Sequence, residues 1–254
     1  MKVLVACEES QAVCKAFREM GCEAYSCDII TCSGGRPEWH IQGDALPLIN
    51  GNCEFFTMDG ENHRIDSTWD LLIAHPPCTY LTNAGAVRMR VKGEIVPERY
   101  AKAMEAKDFF LKFLYADCPR IAVENPTPMK LVGLPPYTQA IQPWQFGHPY
   151  MKRTCLWLKG LPPLHPTKII TDGITPYVNG GCKDKNGNYR RFPGRKERDP
   201  RIRSKTFSGF AKAMAEQWTE GNKEGQQMTI YEQLTLSPEA MRAFLRIIPV
   251  IEGP

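Results

Sequence analysis

Cys78 ends an apolar run, Leu71 to Ala74, that passes through His75-Pro76-Pro77 before the thiol is presented. Four apolar residues bounded by turn signals predict a buried strand, and the double proline closes it because proline has no N–H to give a neighbouring strand. A thiol on a stiff loop at the carboxyl end of a sheet strand stands where open α/β sheets bind their ligands, so Cys78 is a candidate nucleophile. The competing reading is packing, since most of the ten cysteines are expected to be small buried apolar residues. Glu124-Asn125-Pro126, at the end of the apolar run from Arg120, supplies a second group. Thiolate addition to an electron-poor ring needs an acid that protonates a ring nitrogen, and a carboxyl buried beside the sheet edge is expected to have its pKa raised for that task. The alternatives for Glu124 are a helix cap or a pair with Lys130. Cys78 and Glu124 on successive strand ends of a parallel sheet would face one crevice.

A third carboxylate, Asp28, ends a predicted strand 21 residues beyond Cys7. An acid there accepts both hydroxyls of a ribose in nucleotide-binding folds, although an Asp at a strand end is also a common helix cap. Asp44, after Gly43, is placed to meet an adenine amino group.

The elements that must position these groups alternate. Lys2 to Cys7 is a short apolar strand, and Gln11 to Met20 is a predicted helix with Ala12, Cys14 or Val13, Ala16, Phe17 and Met20 near one face. Gly21 stops it, and Glu23 to Asp28 returns as a strand. Asn50 to Thr68 reads as a polar, turn-rich insertion. Pro97 to Tyr115 is a strongly helical window with Tyr100, Ala103, Met104, Phe110, Leu111 and Leu114 as its buried face. Thr154 to Leu158 is a further strand, and Ser208 to Trp218 a clean amphipathic helix carrying Phe210, Ala211, Met214, Ala215 and Trp218 on one side. Strands alternating with helices imply an α/β domain with a doubly wound, mostly parallel sheet. Residues 1–159 are the expected core and 160–207 a small turn-rich, basic appendage. Residues 208–218 return to the core, and 219–254 are a linker and tail containing a short apolar helix, Pro238 to Ile248.

The net charge of +4 is unevenly placed. Between Lys183 and Lys205 there are ten Lys or Arg and three acids, which leaves the remainder of the chain about −3. Tyr189 and Phe192 lie among Arg190, Arg191, Arg195, Arg201 and Arg203, a mixture suited to phosphate contact and base stacking. The alternative is a solvated loop. Asp184-Lys-Asn-Gly-Asn188 is a turn signal that would close a hairpin inside the tract. No 18-residue apolar run is present, and the amino-terminal apolar segment is too short for a signal peptide, so a cytoplasmic protein with no membrane partner is expected. The cysteines are scattered with no Cys-x-x-Cys, which argues against a metal site or a disulfide framework.

Taken in order, these features resemble the DNA cytosine-5 methyltransferase family, in a compact phage- or prophage-type form. The resemblance runs over about residues 3 to 218. It rests on the strand and helix of Val3 to Gly21, Asp28, Gly43-Asp44, Pro76-Pro77-Cys78, Glu124-Asn125-Pro126, Phe146-Gly-His-Pro-Tyr-Met-Lys-Arg-Thr154 and the closing helix Gly209 to Trp218. It implies a Rossmann-like fold using S-adenosylmethionine, in which Cys78 attacks C6 of a flipped cytosine in DNA, Glu124 engages N3, and C5 receives the methyl group. Lys152 or Arg153 would then serve as the cationic partner of the cytosine carbonyl. Cys7, Glu8, Glu9, Asp28, Ile29, Asp44 and Pro76 would line the cofactor site, and the basic tract would meet the DNA. The expected host is a bacterial or phage-infected cytoplasm.

The chain departs from the family in its first loop, Cys7-Glu8-Glu9-Ser10, which has no glycine and carries two carboxylates where the cofactor's methionine portion approaches. The family's Gln-x-Arg element falls on Tyr150-Met151-Lys152, and about 50 residues separate it from the closing helix, which implies short or relaxed sequence specificity. Two rivals remain. His75-Pro76-Pro77-Cys78 also looks like a degenerate [Asp/Asn/Ser]-Pro-Pro-aromatic motif of an amino methyltransferase acting on N4 of cytosine or N6 of adenine. A nucleic-acid-binding protein on a catalytically decayed fold is the other.

Overall fold

The computed structural model describes residues 1–177, 180–183, 189–192 and 199–219; the expected Pro238 to Ile248 helix and Arg195 lie outside the described residues. Its centre is a seven-stranded sheet in the spatial order Gln139–Ile141, Thr154–Lys159, Ile121–Pro126, Leu71–Ala74, Lys2–Ala6, Glu23–Asp28, His40–Gln42. The Thr154–Lys159 strand runs antiparallel to both its neighbours, and the other adjacent pairs are parallel. Leu71–Ala74 is apolar at every position because both faces of the sheet are covered, as parallel sheets require. Among the described residues no helix is long and apolar enough to cross a membrane.

This is the doubly wound, Rossmann-like α/β fold that the alternating pattern predicts. From Lys2–Ala6 the chain adds strands outward to the His40–Gln42 edge, then returns to the opposite side of its first strand at Leu71–Ala74. The reversal leaves a crevice at the carboxyl ends of these two strands, between the loop after Ala6 and the loop after Ala74.

One face is packed by the helices Ala12–Glu19 and Ser208–Thr219 through Val13, Phe17, Phe210, Met214 and Trp218. The other is packed by the Pro97–Leu114 helix and by Phe55, Ile65 and Trp69. All five residues expected on the inner face of the Ser208–Thr219 helix are buried. Its first turn has a side-chain cap from outside: His148 Nε2 accepts the Gly209 N–H at 3.0 Å. Glycine is required there, because a Cβ at 209 would collide with the Phe146 carbonyl oxygen.

Three local expectations are corrected. Asn50 to Thr68 is an antiparallel hairpin, Cys53–Phe56 with Asn62–Ile65, whose Phe55 and Ile65 face inward at the two-residue period of a strand. In the Pro97–Leu114 helix Phe113 is buried while Tyr100 is 36% exposed, because Phe113 follows Phe110 by three residues and shares its side. Met20 stays exposed because the first helix ends at Glu19 and the chain turns through Gly21 in the left-handed region, φ 77°. The hairpin expected within the basic tract is present, Gly180–Lys183 with Tyr189–Phe192, and its register pairs Lys183 with Tyr189. Leu161 and Leu164, at the start of the expected appendage, pack with the core beside Trp218.

Candidate functional site

The loop carrying Cys78 leaves the Leu71–Ala74 strand through His75, whose N–H still pairs with the Ala6 carbonyl at 3.0 Å. Beyond it the Cys78 carbonyl accepts the N–H groups of Leu81 and Thr82 at 3.0 and 3.2 Å, closing a tight turn. That turn is stitched to the loop after Pro126: Asn83 N–H donates to Thr127 at 3.0 Å, and Met129 N–H donates to Leu81 at 2.7 Å. The Cys78 loop and the Glu124-Asn125-Pro126 strand end are thus held as one unit.

The register Ala74 to Val123 places the next residues, His75 and Glu124, side by side on the face covered by the Ala12–Glu19 helix. His75 Nδ1 donates to Glu124 Oε2 at 2.7 Å, and the side chains are only 13% and 15% exposed. Burial by itself would lower the His75 pKa, but the hydrogen bond and charge of Glu124, with the charge of Glu8, raise it. For Glu124 burial pushes upward, and the His75 bond and charge, with the charge of Lys152, bring it below the usual carboxylate value. Each partner thus favours the charged form of the other. This corrects the expectation that burial raises the Glu124 pKa: the adjacent histidine outweighs it. Lys130 is not its partner.

Cys78 is partly buried and its thiol is pushed up, first by burial and then by the Glu124 charge, with Lys152 opposing. Lys152 is fixed from three sides. Its ammonium donates to the Arg203 carbonyl at 2.9 Å and lies 5.6 Å from the Phe207 ring centroid, and its backbone N–H donates to Gln142 Oε1 at 3.0 Å. Arg153, one residue on, points to the opposite face, where it donates to the Tyr137 hydroxyl at 2.7 Å beside Trp157. Of the two cations considered from sequence, Lys152 is therefore the one near Cys78 and Glu124.

The first loop reaches without glycine a conformation glycine usually supplies. Cys7 and Gln11 both lie in the left-handed region, at φ 58° and 57°, a strain of roughly 1–3 kcal/mol each that neighbours must hold. Gln11 is clamped by Arg36, donating to its carbonyl at 2.8 Å and accepting its N–H at 3.0 Å. Ser33 N–H donates to the Glu9 carbonyl at 2.9 Å, so residues 33–36 run as a strap across this loop. Glu8 is fully committed: Oε1 accepts Val13 N–H at 2.7 Å and Oε2 accepts Cys14 N–H at 3.1 Å, so both oxygens serve the start of the Ala12–Glu19 helix. Burial raises its pKa, and His75 and the two amides oppose.

Asp28 ends its strand with Oδ1 accepting the Ile30 N–H at 3.2 Å, and burial raises its pKa foremost. Ile29 beside it is 74% exposed, an apolar side chain left open at the crevice. Asp44 is exposed, with Oδ1 on the Leu46 N–H at 3.0 Å, and it and Asp28 lie close enough to Cys7 to act on its thiol. Pro76, in the loop that leads to Cys78, is buried. This set has the chemistry to hold an adenosyl group: Asp28 offers a carboxylate and Ile29 an open apolar side chain, while both Glu8 oxygens are taken by backbone amides. Among the described residues no group of His, Cys, Asp or Glu is arranged to hold a metal ion.

Arg190 and Arg191 lie on the Tyr189–Phe192 strand and Arg201 and Arg203 in the short Pro200–Ser204 helix. That helix meets the site through the Arg203 carbonyl on Lys152, and Lys205 reaches the strap, donating to Ser33 Oγ at 2.9 Å. Sequence reasoning missed His75 as a partner of Glu124. The available signal was a titratable residue at the end of the strand next to the one ending in Glu124.

No family model matches the chain, and no curated protein matches it. Among solved structures the chain is similar to a protein from E. coli described as a DNA modification methyltransferase encoded within a prophage, at 13% identity and TM-score 0.40, covering 70% of this chain and 53% of that one. It is also similar to the Entamoeba histolytica methyltransferase EhMeth, at 11% identity and TM-score 0.36, covering 67% of this chain and 57% of that one. The chain spans little more than half the length of either. Likeness this distant carries no argument about activity, which must come from the side chains.

Proposed function

We propose that this protein is a DNA methyltransferase that transfers a methyl group to C5 of cytosine through a covalent adduct on Cys78. The observation that carries the reading is the pinned unit of two adjacent strand ends that carries Cys78 and Glu124, with Lys152 close enough to act on both. Cys78 attacks C6 of an extruded cytosine, Glu124 faces N3, and Lys152 faces the cytosine carbonyl. Entry of the base displaces water and strengthens the pull of Lys152 on the thiolate. Asp28, Ile29, Asp44 and Cys7 would hold S-adenosylmethionine, which supplies an electrophilic methyl group when bound. After methylation a proton leaves C5, the S–C6 bond breaks and Cys78 is restored. The basic tract 183–205 would follow the DNA backbone, with residues 160–207 as a small recognition appendage.

His75 weighs against the amino-methyltransferase reading. The position that such enzymes fill with an acceptor for the target amine holds a histidine whose Nδ1–H is already given to Glu124. The test is trapping on duplex DNA containing 5-fluorocytosine in the presence of S-adenosylmethionine. A stable covalent complex with the unaltered protein and none with Cys78→Ser is expected. Methylation of N4 or N6 without a trapped complex would overturn the reading.

A further inference from the structure

Nucleophilic addition to C6 needs a proton at N3, yet the resting Glu124 is a carboxylate and has none to give. The nearest proton is on the neighbouring histidine, 2.7 Å from Glu124 Oε2. We propose, building on the cytosine reading above, that His75 is the positioning residue that stores this proton and delivers it to the ring through Glu124.

The surroundings leave the proton one exit. Among the described residues His75 Nε2 is buried with no hydrogen-bond partner and Nδ1 is the bonded position of the imidazole, on Glu124. Two further charged groups act on the pair. Glu8, from the first loop, favours the histidinium, and Lys152, ahead of the Thr154–Lys159 strand, opposes it and favours the Glu124 carboxylate. Cys78 lies on the same loop as His75 and feels Glu124 and Lys152. A proton held between His75 and Glu124, and drawn off by the approach of a basic ring nitrogen, is a store rather than a fixed salt bridge.

The step balances. The Cys78 S–H bond gives its proton to water and the freed sulfur pair forms the S–C6 bond, the C5=C6 π pair moves to C4=C5, and the C4=N3 π pair takes the proton that His75 Nδ1 has passed to Glu124. His75 is then neutral and N3 carries the hydrogen. In the elimination that ends the cycle, the C5 proton goes to water, Cys78 departs with the S–C6 pair and is reprotonated from water, and the N3 proton returns through Glu124 to His75, so the pair is unchanged over one turnover.

The test uses His75→Gln, which keeps an N–H donor to Glu124 but holds no proton that titrates. Exchange of the cytosine C5 hydrogen with solvent reports addition to C6 directly, and is measured on duplex DNA across pH. For the unaltered protein the rate falls on the alkaline side as His75 loses its proton, above the ordinary histidine value. His75→Gln is expected to exchange about 100-fold or more slowly near neutrality, with the alkaline fall moved at least about one pH unit toward acid and DNA affinity within about twofold. A uniformly slower variant with an unmoved fall has lost only positioning, and overturns the proposal. Nitrogen NMR of His75 in the free protein gives a second arm that needs neither the variant nor a substrate. Histidinium at pH 7, becoming neutral imidazole in Glu124→Gln, is expected; neutral imidazole in the unaltered protein overturns the store. No exchange at any pH in the unaltered protein would sink the cytosine reading itself, a result distinct from exchange with an unmoved fall.

Discussion

Glu8→Gln separates a helix cap from a cofactor ligand. In the structure each carboxyl oxygen of Glu8 takes one backbone N–H of the first helical turn, Val13 at 2.7 Å and Cys14 at 3.1 Å, and the side chain is buried. Glutamine keeps one acceptor and turns an NH₂ toward the other N–H. One buried donor then loses its partner, at a cost of about 1–3 kcal/mol. Taking about 2 kcal/mol and about 2–4 °C per kcal/mol for a chain of this size, Tm should fall by roughly 4–8 °C. Glu8→Ala, which removes both acceptors, should cost roughly twice as much. The assay is chemical denaturation at pH 7.5 with thermal melting alongside, and S-adenosylmethionine titration below the melting range. A change in stability under about 0.5 kcal/mol, paired with loss of cofactor affinity, would refute the capping argument and return Glu8 to the cofactor site.

Asp28→Ala should weaken S-adenosylmethionine binding by about 1.5–3 kcal/mol, the worth of a charge-assisted hydrogen bond, with trapping by Cys78 retained at saturating cofactor. Calorimetry showing equal affinity would remove Asp28 from the ribose. Burial lowers the His148 pKa, and its neutral Nε2 accepts the Gly209 N–H. Stability from this cap is therefore complete above the ordinary histidine value near 6.5 and is lost as pH falls below it. The denaturation midpoint should drop between pH 7.5 and 5.5 by less in His148→Asn than in the unaltered protein, whose remaining loss includes His40, also lowered by burial; equal drops would refute it. Replacing Arg190, Arg191, Arg201 and Arg203 by Ala should lower duplex affinity and reduce the log–log salt slope by about 0.9 for each phosphate no longer neutralised. Unchanged slopes would take the tract out of the interface.

The sequence alone was enough for the layout, because strand and helix periods are local. The apolar run Leu71 to Ala74, the prolines that end it, and the amphipathic face of Phe210 to Trp218 depend on a few neighbouring residues, so their elements lie where the pattern places them. Alternation of strand and helix then implied the parallel sheet, and with it the placing of Cys78 and Glu124 at strand ends. The Cys53–Ile65 hairpin was not legible, since its alternation is short and set among polar residues. Charge state and partnership needed the tertiary structure. His75 and Glu124 are 49 residues apart and meet only through strand register, and that meeting reverses the pKa direction burial alone implies. The choice of Lys152 over Arg153 rests on which face of the sheet each residue points to. The assignment of Glu8 to a helix end rests on where two N–H groups lie once the first turn has formed. Pairing energies of buried charges depend on distance and on the removal of water, and neither exists until the strands are side by side.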